Sequence, residues 1–314
     1  MENSHACIGA AAPKTAAGPA PCDLCGATDY KRVAEENGHA IYRCRGCGLI
    51  QVRPLPAETK EVNQRYWHVD LDDPAVRVSR AGSRPVFLHG LQCLQRLTGE
   101  SIRGKKVLDV GCGMGLFLEI VQEQEGVPYG LDLTPEAVQF TRELCKIDTV
   151  AQGYFETCDL PPGFFDVITG WGILHHTRSP SQWFAQAYRL LADGGILLVK
   201  MPNVSFTSAA YRLTPLLRAL GLPATHYLAS RPPLNLYGFT RETLAALLEK
   251  ASFEVLTVES ARIRGNAGFL GGLTSAATAL ATGLTAGKID FHPGILAIAR
   301  KRGKPGAPSG SKTP

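Results

Sequence analysis

A chain of 314 residues with 45% apolar side chains can bury a sizeable core in one large domain or two smaller ones, which excludes a wholly disordered protein. The formal charge of +5 comes from lysines and arginines scattered along the chain, with one dense run at Arg300–Lys304, so charge alone gives no case for a nucleic-acid partner. Nine cysteines without a recognisable secretory signal point to a reducing, cytoplasmic setting rather than a disulfide framework.

Residues 1–20 are rich in Ala, Pro and Gly and read as a flexible tail, lacking the basic start and apolar core of an export signal. Next come Cys22-Asp-Leu-Cys25-Gly and Cys44-Arg-Gly-Cys47-Gly, with eighteen residues between Cys25 and Cys44. Two such knuckles can place four thiolates at tetrahedral corners, and the glycines permit the tight turns. Tyr30–Val33 and His39–Tyr42, between them, have the mixed polarity of short strands. That is the plan of a zinc ribbon over 21–53, with Cys22, Cys25, Cys44 and Cys47 as ligands of a structural zinc. A single Cys-x-x-Cys could be a redox pair; the repeated knuckle favours the metal. Residues 54–98 read as a helical connector and cap, with Phe87, Leu88, Leu91, Leu94 and Leu97 at helical spacing. Tyr66 and Trp67 in this connector are candidates for substrate contact or for packing.

From Lys105 short apolar strands alternate with helices, the rhythm of a parallel α/β sheet. Strands are expected at Lys106–Val110, Tyr129–Asp132, Thr149–Ala151, Phe165–Gly170, Ile196–Met201, Glu254–Glu259 and Gly294–Arg300. Helices are expected at Gly115–Glu125, Pro135–Lys146, Ser181–Leu191 and Thr240–Lys250, the second opening on Thr134 as N-cap with proline following. A proline-rich insertion over 202–238, with a short helix around Ala209–Leu220, interrupts this domain of 99–302 as a lid. Ala267–Ala286 is uncharged and long enough for a membrane span, but its Gly, Ala, Thr and Ser content favours helices packed on the domain. No transmembrane segment is expected, and a peripheral membrane contact stays open. Residues 303–314 read as a second tail.

The chemistry starts at Asp109-Val-Gly111-Cys112-Gly113-Met-Gly115. A strand running through glycines into a helix lets backbone approach a ligand where a Cβ would collide. Asp132 ends the next strand, where a carboxylate can accept both hydroxyls of a ribose. These residues fit either a nicotinamide dinucleotide or S-adenosylmethionine. A pyrophosphate is usually held by G-x-G-x-x-G, whereas here the spacing is Gly-x-Gly-x-Gly with Asp109 two residues ahead. An anion suits the ammonium and sulfonium of S-adenosylmethionine better than a pyrophosphate.

Val107–Gly115, Gly130-Leu-Asp132, Phe165–His176 and Leu190–Val199 resemble, in order, the motifs of class I S-adenosylmethionine-dependent methyltransferases. The resemblance implies an α/β, Rossmann-like seven-stranded sheet, here with an N-terminal zinc ribbon and a helical connector and lid. That combination is similar to a bacterial subgroup acting on small molecules such as sugars, lipids and quinone-like rings. The resemblance places Asp109 and Gly111 against the methionine part, Asp132 on the ribose and Leu133 on one adenine face. Tyr154 and Phe155 stand near adenine, with Tyr154 where the family often has an acid. His176 aligns with a recurrent family histidine and His175 stands where an acid is frequent; one is a candidate base, His176 preferred, with loop packing as the alternative. Trp171 either walls the sulfonium or supports the sheet, and Cys112 is a small filler rather than a nucleophile. Asn235 stands where a related segment often begins with His, and His226 and Tyr237 are candidates for the acceptor pocket.

The expectation is methyl transfer from S-adenosylmethionine to a small-molecule acceptor, O-directed ahead of C- or N-directed. The alternatives are a methyltransferase of RNA or protein, a nicotinamide-dependent reductase, or a zinc-ribbon binding module. A nucleic-acid partner is not expected, because Arg43 and Arg45 are the only cations at the knuckles and no basic face interleaved with aromatics is visible. The oligomeric state is left open.

Overall fold

A computed structural model of the chain describes residues 20–56, 74–212, 214, 219, 227–228, 235–261 and 292–303, with side chains in the first helix from 82 onward. Tyr66, Trp67, His226 and the Ala267–Ala286 segment lie outside the described residues.

Two sheets make the frame. The larger has seven strands, β4 (Lys106–Val110), β5 (Val127–Asp132), β6 (Val150–Gln152), β7 (Phe165–Trp171), β8 (Leu191–Pro202), β10 (Phe253–Ala261) and β11 (Gly294–Lys301). Their spatial order is β10-β11-β8-β7-β4-β5-β6. The strands from β8 to β6 run parallel, and β11 is antiparallel to both β8 and β10. This mixed sheet, covered by helices, is the Rossmann-like fold the family resemblance implies, with β11 antiparallel where the sequence rhythm alone pointed to a parallel sheet. Its middle strands are largely apolar because both faces are buried: Val107, Leu108, Ile168, Leu197 and Leu198 have almost no exposure.

Helix α1 (Pro74–Thr98) lays Phe87, Leu91 and Leu94 on one face of this sheet beside α2 (Leu116–Glu123). Helix α3 (Pro135–Glu143) follows β5, and its proline at the first turn needs no hydrogen-bond donor there. Helix α4 (Pro180–Leu190) packs Trp183, Phe184 and Ala187 into the core on the same side as α6 (Arg241–Lys250). Ser179 caps α4 by accepting from the Gln182 N–H at 3.3 Å, and Thr240 with Thr243 forms a capping box on α6. A short helix, α5 (Val204–Arg212), follows β8; it starts five residues before the helix expected from the sequence.

The smaller sheet has four antiparallel strands in the order β1 (Tyr30–Glu36), β2 (His39–Cys44), β3 (Ile50–Val52) and β9 (Tyr237–Gly238). The first two strands extend the pair expected from sequence. The other two were not anticipated. Strand β9 comes from the end of the expected lid and pairs with β3 at Ile50–Gly238 and Gln51–Tyr237. The segment read as a lid on the catalytic domain therefore also completes the N-terminal sheet. No helix among the described residues is long and apolar enough to cross a membrane.

Candidate active site

The loop after β4 is pinned to the end of β5. The backbone N–H groups of Gly111 and Cys112 both donate to the Leu131 carbonyl, at 2.7 and 3.2 Å. Gly113 N–H donates to Asp132 Oδ2 at 2.8 Å, while Oδ1 of the same carboxylate accepts from the Thr134 N–H at 2.9 Å and its hydroxyl at 2.8 Å. The Thr134 side chain thus serves Asp132 rather than the helix it precedes. Burial raises the Asp132 pKa above the usual carboxylate range, against the pull of these donors.

Two glycines show why the loop needs them. Gly111 has φ 72°, and a Cβ there would come within 3.0 Å of Ile173 on the opposite wall of the site. Gly115 has φ 70°, and its Cβ would meet Thr141 at 2.8 Å and Cys145 at 3.0 Å, so its role is to let the loop pack on α3.

A cavity of about 180 Å³ opens at the carboxyl ends of β4 to β7, where open α/β sheets bind ligands. Gly111, Asp132, Leu133 and Thr134 line one side, Gly153 to Glu156 another, and Trp171, Ile173, His176, Thr177 and Arg178 the far wall. Of the sequence candidates, Gly111, Asp132, Leu133, Tyr154, Phe155, Trp171 and His176 therefore meet at one opening. Trp171 also packs edge-on against Phe87 at 4.9 Å and lies 5.1 Å from Phe117, so walling and packing coexist in one ring.

Other candidates sit behind this surface. Asp109 is 2% exposed and accepts from the Thr169 hydroxyl at 2.7 Å; burial first, and the nearby Asp132 charge, push it up to about 8. Gly113 and Gly115 shape the loop without lining the cavity, and Cys112 fills the space beside Gly130. His175 is buried, its ring 4.0 Å from that of His176, and burial holds it in the neutral form. Its Nδ1 has no hydrogen-bond partner among the described residues. Tyr237 is buried in β9, donating its hydroxyl to the Arg178 carbonyl at 3.1 Å, and does not line the cavity.

Sequence reasoning missed Glu156, Arg178 and Trp183. Glu156 lines the cavity two residues after Tyr154, and burial pushes its carboxyl up to about 7. The available signal was the acid itself, two residues after a tyrosine standing where an acid is expected. Three buried donors at the cavity, Tyr154 Oη, Trp171 Nε1 and Trp183 Nε1, have no hydrogen-bond partner among the described residues. Orphaned buried donors around a largely apolar opening fit a site built for a ligand with acceptors.

The four cysteines in and beside the N-terminal sheet converge. Their sulfurs all lie within 4.8 Å of one another, with Cys22–Cys47 and Cys25–Cys44 each at 3.5 Å and none in a disulfide. Four thiolates about 2.3 Å from a common zinc would stand about 3.8 Å apart, so the cluster fits a tetrahedral ion. The two knuckles repeat one backbone design: Gly26 N–H donates to the Cys22 carbonyl at 2.8 Å and Gly48 N–H to the Cys44 carbonyl at 3.0 Å. A second cluster, His89, Cys93 and Glu259, joins α1 to β10, with Arg96 3.7 Å from Glu259.

Comparison with known proteins agrees with this geometry. A family model described as a methyltransferase domain matches residues 90–258, more than half of the chain. A probable S-adenosylmethionine-dependent methyltransferase of Mycolicibacterium smegmatis is 27% identical over 152 residues, 48% of this chain and 53% of that protein. A ubiquinone biosynthesis O-methyltransferase of Methylococcus capsulatus is 30% identical over 110 residues, 33% of this chain and 46% of that protein. The chain thus spans about half the length of these curated relatives. Among solved structures, Haemonchus contortus phosphoethanolamine N-methyltransferase 2, with phosphomonomethylethanolamine and S-adenosylhomocysteine bound, matches at TM-score 0.51 and 18% identity, covering 81% of this chain and 62% of that one. The cyclase SpnF matches at TM-score 0.51 and 20% identity, covering 78% and 97%, so the fold by itself does not fix the reaction. The family match rests on sequence, and on it the chain belongs to the methyltransferase domain family, with an α/β domain of the S-adenosylmethionine-dependent methyltransferase kind.

Proposed function

We propose that the protein transfers a methyl group from S-adenosylmethionine to a hydroxyl of a small-molecule acceptor. The carrying observation is the clasp between Gly113 N–H and the Asp132 carboxylate at the lip of a cavity with orphaned donors. In this reading Asp132 accepts from the ribose hydroxyls and Gly111 gives the backbone access that a Cβ would block. Leu133 and Phe155 sandwich the adenine, and Glu156 takes the exocyclic amine in place of the acid that Tyr154 displaces. Asp109, Cys112, Gly113 and Gly115 set the loop, with Asp109 as counter-ion to the ammonium group. Cys22, Cys25, Cys44 and Cys47 hold a structural zinc, which contributes folding energy and no open coordination position.

Bound S-adenosylmethionine supplies an electrophilic methyl group on a sulfonium. The chain's own task is alignment and exclusion of water, which Trp171 and Ile173 serve with apolar surface beside Gly111. His176 lines the same wall and accepts the acceptor's hydroxyl proton; neutral imidazole suits that role near neutral pH. His175 backs the His176 ring and stays neutral, so it does not compete for the proton. The names of the ubiquinone-pathway relatives support oxygen as the acceptor atom over a short stretch of sequence. The module boundaries that go with this reading are 21–53 for the ribbon, 54–98 for the connector and 99–302 for the catalytic domain with its insertion at 202–238.

The test is calorimetry with S-adenosylmethionine, S-adenosylhomocysteine and NADH, followed by mass analysis of phenols, sugars and lipid-linked acceptors incubated with protein and methyl donor. Binding of the first two ligands, no binding of NADH, and a gain of one methyl group abolished by His176→Ala are expected. A folded protein that ignores both adenosyl ligands would overturn the reading. Full turnover by the His176 variant would remove the base while leaving the donor site intact.

A further inference from the structure

The far wall of the cavity is anchored in the four-cysteine module at both of its ends. At one end the Leu236 N–H donates to the His175 carbonyl at 2.7 Å, and the Leu236 carbonyl in turn accepts from Val52 N–H of β3 at 2.9 Å. At the other, Asp23 reaches the start of α4. Its Oδ1 accepts from the Ser179 and Ser181 hydroxyls at 2.8 and 2.9 Å, and its Oδ2 from the Ser181 N–H at 2.7 Å. Between these points Arg178 donates to the Pro56 carbonyl at 2.8 Å.

Asp23 lies between two of the clustered cysteines, Cys22 and Cys25, so whatever fixes those sulfurs fixes its backbone. Lys250 of α6 adds a clamp, its Nζ donating to the carbonyls of Asp23 and Leu24 at 2.9 and 2.8 Å. A carboxylate at a helix N-terminus also gains from the helix dipole, and its bonds to N–H and O–H groups are charge-assisted. Ser179 follows Arg178 directly in the chain, and Arg178, Thr177 and His176 line the cavity. A shift of the knuckle is therefore transmitted within a few bonds to the wall that faces the ligand.

We propose that Asp23 is a positioning residue: through Ser179 and Ser181 it couples the four-cysteine module to the His176–Arg178 wall, so that the state of the module sets the affinity of the cavity. The proposal rests on the reading of the cavity as an adenosyl site and of the cysteines as metal ligands. The module is then part of the active site's scaffold rather than an appended domain.

The experiment uses the full chain as purified, with Asp23→Ala, Asp23→Asn and Lys250→Met. The readouts are metal content, S-adenosylhomocysteine affinity, the emission change of Trp171 and Trp183 on binding, and deuterium exchange across 172–181 and 106–132. Asp23→Ala is expected to keep its metal, lose roughly 5- to 150-fold in affinity, the usual range of coupling between sites, and exchange faster over 172–181 only. Asp23→Asn, which keeps one acceptor oxygen, recovers part of the loss, and Lys250→Met shows a smaller one. Chelating the metal should weaken the wild type to the level of Asp23→Ala and add nothing to that variant. Wild-type affinity and exchange in Asp23→Ala would overturn the proposal. So would a chelation loss that adds in full on top of the substitution. If Asp23→Ala does not fold, Asp23→Asn decides by the same readouts. If the wild type binds no adenosyl ligand or carries no metal, that separate reading fails, and the exchange of 172–181 in the Asp23 variants still decides the coupling.

Discussion

The two sides of the cavity are built in opposite ways. The side formed by Gly111, Asp132 and Leu133 comes from one stretch of the chain and is held by its own backbone, through bonds from Gly111, Cys112 and Gly113 to Leu131 and Asp132. The far wall of Trp171 to Arg178 depends on partners distant in sequence, including Asp23, Pro56, Leu236 and Tyr237. In the proposed reading the first side holds the adenosyl ligand, and its geometry is carried by one local motif. The second can be altered by changing any of several segments, which suits a wall shared by cofactor and acceptor in the proposed reading.

The comparison is tested most severely at Asp132. Asp132→Ala should weaken S-adenosylmethionine binding by about 1.5–3 kcal/mol, the scale of hydrogen bonds to a charged group. It also leaves the N–H groups of Gly113 and Thr134 without their acceptor. Exchange over 172–181 should stay as in the wild type, because the far wall is held elsewhere. Unchanged affinity in calorimetry would remove the ribose role, and faster exchange across the far wall would erase the distinction between the two sides.

A pH titration asks whether Asp109 belongs to the ligand or only to the sheet. Burial has pushed this acid up to about 8, so below that pH it is neutral in the free protein. A cationic ammonium pairs with the ionised form, so binding must drive off the proton at lower pH. Affinity should therefore rise with pH and level off above about 8, falling up to about tenfold, or about 1.4 kcal/mol, per unit below it. Asp132 and Glu156 are raised as well, so the diagnostic quantity is the difference from Asp109→Asn, whose profile should be flatter. Identical profiles would leave Asp109 as a strand residue bonded to Thr169 and nothing more.

The same division explains what could be read in the sequence. Strand β4 and the position of Asp132 followed from apolar runs and a glycine loop, signals confined to about thirty residues of chain and carried by local geometry. The clustering of the four cysteines followed from their spacing. Glu156 is not legible in the sequence because its place at the cavity and its raised pKa depend on burial that no spacing encodes, whereas Tyr154, two residues before it, is an odd residue within a motif. Strand β9 has two residues, Tyr237 and Gly238, too few for any periodicity, and its partner β3 lies near the other end of the chain. The contacts of Asp23 were equally invisible, since Ser179 and Ser181 are more than 150 positions away. Long-range pairings of single polar side chains leave no trace in composition or period.

Cys112 gives the smallest expected effect and the finest test of the self-contained side. It lies within the glycine loop, so a nucleophilic role is the natural rival to that of a filler. Its sulfur lies 3.0 Å from where a Gly130 Cβ would be, and burial with two neighbouring carboxylates raises its pKa well above the ordinary thiol value. A thiol held protonated is a poor nucleophile. Cys112→Ala should therefore leave cofactor affinity within about twofold while a small void costs about 1 kcal/mol of stability. Loss of methyl transfer in a variant that still binds the cofactor would contradict the filler role, as would rapid alkylation of Cys112 in the folded protein. Either result would mean that the loop supplies chemistry as well as shape, and the backbone clasp would no longer account for the donor side by itself.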